Sequence, residues 1–187
     1  MRRLVVALFL FLPVASRCSA STPQALPSIP TDSMTLTSPS SVVQVTVDGS
    51  RVFGAQVELA RDENGLRGRG PLGVVDLRKE SSSLRGVVGG GVTELYLERA
   101  GDDGFSLQGL YSGVLGNLEV RSDRIQGQLG RCQYNLRRTT SEQGTAYNGQ
   151  RICGQRWMEP ATFALSAGIT SLEPIDRAAL IAILLGR

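Results

Sequence analysis

Leu118-Glu119-Val120-Arg121-Ser122-Asp123-Arg124-Ile125-Gln126-Gly127 is the stretch whose reading decides the fold. Apolar residues alternate with charged or amide ones on both sides of Ser122-Asp123, the pattern of a half-buried β-hairpin with a two-residue turn. Facing Arg121 with Arg124 puts Val120 opposite Ile125 and Leu118 opposite Gly127. The pattern of two apolar residues separated by one, a turn, then apolar-x-Gly recurs four times. The other copies are Val57/Leu59 with Leu66/Gly68, Val75/Leu77 with Leu84/Gly86, Leu95/Leu97 with Leu107/Gly109, and Tyr134/Leu136 with Tyr147/Gly149. The copies begin at 57, 75, 95, 118 and 134, a spacing too uneven for a solenoid or propeller. Gly70-Pro71, Gly89-Gly90-Gly91, Ser112-Gly113 and Gly130-Arg131 join each hairpin to the next. The expected fold is therefore mainly β, an antiparallel up-and-down meander or barrel of about ten short strands.

Asp76, Arg78, Glu94, Glu98, Glu119, Arg121, Asn135 and Arg137 fall between the apolar positions, so one sheet face meets water and the other a core. An outer-membrane barrel needs the reverse, apolar side chains turned to lipid. The recurrent glycines on the inner face have two readings. Large residues opposite small ones let a sheet coil tightly, or the missing side chains leave a cavity.

Residues 1–20 carry Arg2 and Arg3, an apolar run from Leu4 to Ala15 and then small residues, the three parts of a secretory signal peptide. Arg17 before Cys18 fits a lipobox poorly, so cleavage after Ala20 without lipid is expected. The chain is then exported to the periplasm or the extracellular space of a bacterial envelope, peripheral to a membrane at most. Removing Arg2, Arg3 and Arg17 from 20 basic residues leaves 17 against 17 acidic ones, so the remainder is formally neutral. That gives no support for a nucleic-acid partner, which calls for a concentrated positive surface. Residues 21–41 hold Pro23, Pro27, Pro30 and Pro39 among serines and threonines and read as a disordered linker. The β meander is assigned to 42–157, with Val52 to Leu59 as one strand, and 158–187 to a helical segment packed on it.

In that last segment Glu159-Pro160 opens a short helix through Leu165, and Ser171 precedes a second helix with Pro174 in its first turn. Ile175 to Leu185 has only Asp176 and Arg177 as polar residues. A helix apolar on nearly all sides is buried, so it is expected to cover or plug the sheet; a membrane-sorting tail is the alternative.

The chain contains no histidine. That removes Ser-His and Cys-His nucleophile pairs, most zinc sites and the commonest general base, and no metal or cofactor is expected. Cys132 and Cys153, the only cysteines after the signal, are expected to form a disulfide across the last hairpin. Two registers compete there. Repeat matching pairs Tyr134 with Gly149, whereas directly opposed cysteines pair Leu136 with Gly149 and Tyr134 with Arg151. By alternation Tyr134, Tyr147 and Arg151 share the inner face. They form either a satisfied core network or a polar anchor for an anionic or hydroxylated ligand. The layout is similar to lipocalins, avidins and barrel-type protease inhibitors in architecture alone, and architecture does not fix function. The expectation is a non-enzymatic exported domain that binds a small ligand or an envelope protein. The alternatives are a purely structural envelope protein, and a secreted enzyme or protease inhibitor.

Overall fold

The computed structural model describes residues 32–101, 104–139, 144–154 and 157–187. The segment read as a signal peptide, its expected cleavage region and most of the proline-rich stretch lie outside them. The described chain is an antiparallel barrel of fourteen strands, closed by pairing of the first with the last. In chain order they are β1 (Asp32–Ser38), β2 (Ser41–Asp48), β3 (Arg51–Gly54), β4 (Val57–Asp62), β5 (Gly65–Gly70), β6 (Gly73–Lys79) and β7 (Ser83–Val88). There follow β8 (Gly91–Arg99), β9 (Phe105–Tyr111), β10 (Val114–Val120), β11 (Arg124–Leu129), β12 (Cys132–Thr139), β13 (Thr145–Cys153) and β14 (Glu159–Leu165). Two helices end the chain, α1 (Ala167–Thr170) and α2 (Pro174–Leu185).

The five hairpins of the repeat are β4 to β13, which accounts for the expected ten strands. β2 stands at the expected start of the meander near residue 42, and β1, β3 and β14 raise the count. Met34, Leu36 and Ser38 point inward between polar neighbours, so a strand begins inside the stretch expected to be disordered. Val52 to Leu59 is not one strand, because the chain turns at Ala55-Gln56 and separates β3 from β4. Residues 159–165 form β14 and not a helix. Ala161, Phe163 and Leu165 are buried in strict alternation, and Pro160 stands near the strand's start, where the loss of one N–H is tolerated. The strand domain therefore runs from Asp32 to Leu165, and the helical segment begins only at Ala167.

Register reveals a stricter repeat than the sequence alone. Every glycine of the repeat faces a leucine: Leu59 with Gly68, Leu77 with Gly86, Leu95 with Gly109, Leu118 with Gly127, Leu136 with Gly149. Leu59, Leu77 and Leu95 stand eighteen residues apart, as do Leu118 and Leu136, and only the longer connection from β8 to β9 breaks the period. At Gly68, Gly86, Gly109 and Gly127 the backbone has φ between +120° and +146°. A Cβ at any of them would strike a carbonyl oxygen of the preceding strand, that of Glu58, Asp76, Glu94 or Asn117. The space beside these glycines is taken by the backbone of the neighbouring strand, which favours the first of their two readings.

Fourteen strands enclose a lumen wider than wall side chains can fill, and a helix about 10–12 Å across fits inside it. That helix is α2. All eight residues from Ala178 to Leu185 are buried, so no side of it meets water. It enters beside Asp176, whose carboxylate accepts from Lys79 Nζ at 2.6 Å and Arg61 Nη2 at 3.1 Å. A negative charge in the first turn also suits the helix dipole. At the far end the Tyr134 hydroxyl donates to the Leu185 carbonyl at 2.7 Å and satisfies one of the helix's terminal acceptors.

Candidate functional site

The plug divides the barrel into two ends, and the expected site residues are split between them. At the end where α2 finishes, Cys132 pairs with Cys153 in register and the two form a disulfide with Cα atoms 4.0 Å apart. The same register places Tyr134 opposite Arg151 and Leu136 opposite Gly149, the second of the two alternatives. Repeat matching fails here because the leucine, and not the residue two before it, is the partner of each glycine.

Arg151 is 3% exposed and is held by the chain itself. Its Nε donates to Glu159 Oε1 at 2.7 Å, and its Nη2 to Ser38 Oγ at 2.6 Å and Ser40 Oγ at 3.1 Å. Ser40 Oγ donates to Glu159 as well, and Arg187 reaches Ser41 Oγ. Burial acts to raise the Glu159 carboxyl, but hydrogen bonds from Ser40 and Arg151 outweigh it and hold the group below its ordinary range. Burial pushes the Tyr134 phenol up to about 12 despite the nearby Arg151 and Arg187. A small cavity of about 310 Å³ lies over this network. The arrangement ties β13 and β14 to the β1–β2 turn at the barrel seam through Arg151 Nε and Nη2, while Arg151 Nη1 is buried without a partner among the described residues.

Tyr147 is apart from this pair, at the end where α2 enters. Its hydroxyl donates to the Arg121 carbonyl at 3.0 Å, and it lines a cavity of about 600 Å³ between the barrel wall and the helix. Leu97, Phe105, Val120, Leu172 and Ile181 give that cavity an apolar floor. Arg99, Arg121, Arg138 and Arg177 stand around it, with Glu98 the one carboxylate among its described lining. Burial raises the Tyr147 phenol; Arg138 and Arg177 pull it the other way, and Asp123 adds to the rise. The Arg177 guanidinium lies 5.6 Å from the centre of the Phe105 ring and donates to the Thr170 carbonyl at 2.7 Å. Arg121 is paired with Glu119.

Sequence reasoning found Tyr147 but missed these arginines. They come from β8, the turn after β10, β12 and α2, and only closure of the barrel gathers them. Asp102, Asp103 and the 140–143 loop, which flank the same strands, lie outside the described residues. Among the described residues no group of three or more Cys, Asp or Glu stands close enough to hold a metal ion. No protein-family model matches the chain, and no curated protein and no solved structure matches it.

Proposed function

We propose that this is an exported, non-enzymatic barrel that binds a small anionic amphiphile at the mouth beside α2. One observation carries the reading: an apolar floor of Leu97, Phe105 and Ile181 under a rim of arginines, in a cavity of about 600 Å³. A ligand with a hydrocarbon body and a carboxylate, sulfonate or phosphate head matches both parts. The lumen is filled by α2, so binding belongs to this end and not to the interior. Export rests on the amino-terminal pattern, and the disulfide agrees with an oxidising compartment.

The test is a fluorescence titration with anilinonaphthalene sulfonate, followed by displacement with laurate and with the neutral lauryl alcohol. Saturable binding is expected, with laurate displacing better than the alcohol. Reversing the charges at the rim, Arg99→Glu with Arg138→Glu, should weaken laurate by roughly tenfold or more and change the alcohol little. Binding of neither ligand, or equal loss of both, contradicts the reading.

The purely structural alternative rests on a separate observation, the internal bonds made by the Tyr134 hydroxyl, by Glu159 and by two of the three Arg151 nitrogens. It predicts no saturable binding of any probe.

A further inference from the structure

The two ends of the barrel differ in polarity on their outer surface. At the end where α2 enters, the outward positions near the turns include Arg78, Glu98, Glu119, Arg124 and Arg137, with Ser33, Ser106, Ala146 and Ala164 on the other strands. At the disulfide end they are mostly apolar. Val42, Val74, Val87, Val92 and Leu115 each stand one residue in from the strand's end there, on the outward side, and are exposed by 38% to 74%. Phe53, Leu110 and Ile152 occupy the equivalent places on β3, β9 and β13. Gln128, Gln133, Thr37 and Pro160 interrupt the collar, and its only charges are Glu58 and Arg69, which face each other across β4 and β5. Just beyond it Trp157 is 94% exposed beside an exposed Met158.

The geometry points to a phospholipid surface as the occupant of this rim. The collar side chains project radially, away from the barrel axis, and are distributed around the wall from β2 to β13. A second copy stacked end to end would cover the turns but not the radial side chains, and a partner seated on one side would cover only an arc. A fluid medium into which the rim dips covers all of them at once. Charge agrees with this. Among the described residues, the turns at this end hold Arg131 and no acidic residue, whereas those at the other end hold Glu63, Glu80 and Asp123 beside Arg121. Arg131 among these turns, with Arg187 at the same end, suits the phosphate layer, and Trp is the side chain most at home in the interfacial region. The charged end, with its arginine-rimmed mouth, would then face away from the bilayer. This inference does not depend on what the mouth binds.

Trp157 is the only tryptophan of the chain, so its emission reports on this rim alone. The exported protein is titrated with vesicles of phosphatidylethanolamine and phosphatidylglycerol, with and without brominated acyl chains. A blue shift and quenching by the brominated lipid are expected. The triple variant Val74→Gln, Val92→Gln, Leu115→Gln, which alters only exposed outward positions, should bind vesicles more weakly by roughly tenfold or more. Arg78→Gln at the other end should leave binding unchanged. Absence of a shift overturns the proposal, and so does undiminished quenching in the triple variant. A blue shift that follows protein concentration without lipid would also overturn it, since a second copy would then cover the rim.

Discussion

At Gly127 the backbone has φ of +120° and a Cβ would meet the Asn117 carbonyl, so Gly127→Ala combines strain with collision. Destabilisation by roughly 2 kcal/mol or more is expected, read as a fall in the urea midpoint at constant slope. Two buried tyrosines at the end of α2 make opposite predictions. The Tyr134 hydroxyl serves the Leu185 carbonyl, and Tyr134→Phe should lose about 1 kcal/mol. The Tyr111 hydroxyl is buried without a partner among the described residues, so Tyr111→Phe should be neutral or stabilising. The folded-state pKa of Tyr134, raised by burial to about 12 from 10.0, means that the native state holds its proton more tightly. Its contribution is complete below pH 10 and is lost as pH rises from about 10 through 12, a fall of roughly 2–3 kcal/mol. Tyr134→Phe should therefore flatten part of the alkaline limb of a stability–pH curve. An unchanged limb would show that the phenol is not held in its neutral form.

Hairpins were the most legible elements because alternation and turn residues are local signals. Leu118 with Gly127 and Leu95 with Gly109 pair as the sequence pattern implies. In the first two hairpins the observed partners of Gly68 and Gly86, Leu59 and Leu77, lie two residues from those that simple alternation selects. Parity survives such a slip, so the inner face was read correctly where the register was not. β1 and β14 were illegible for a different reason. Neither belongs to the five-hairpin repeat, and the seam they form with each other at Leu36 and Phe163 joins positions far apart in sequence, which no local pattern announces. The apolar character of α2 identified it as buried, but that it threads the barrel follows only from strand number. Leu184→Ala inside the lumen should cost roughly 2–5 kcal/mol, and removal of 172–187 should abolish cooperative folding, checked by thermal melts and gel filtration. A truncation that melts sharply would mean the wall stands without its plug. Replacing both Cys132 and Cys153 by serine should lower stability by about 3 kcal/mol, since the bridge closes a loop of separation 21.

As a whole the molecule is a barrel that folds around its own carboxy-terminal helix, with a sealed seam and disulfide at one end and a basic, apolar-floored mouth at the other. This arrangement moves any ligand out of the lumen. It also separates the expected site residues, with Tyr134 and Arg151 at the seam and Tyr147 among the arginines of the mouth. The candidate ligand site was only partly legible because Arg99, Arg121, Arg138 and Arg177 each read as ordinary solvated charges along their own elements, and their convergence is a property of closure. The measurement that bears most directly on this account is an amide NMR titration of the isotopically labelled protein with laurate. Shifts confined to the surroundings of Leu97, Phe105, Val120, Tyr147 and Arg177, with Cys132, Tyr134 and Arg151 unmoved, are the predicted result. Shifts centred on Tyr134 and Arg151, or along Ala178 to Leu185 within the lumen, would contradict it.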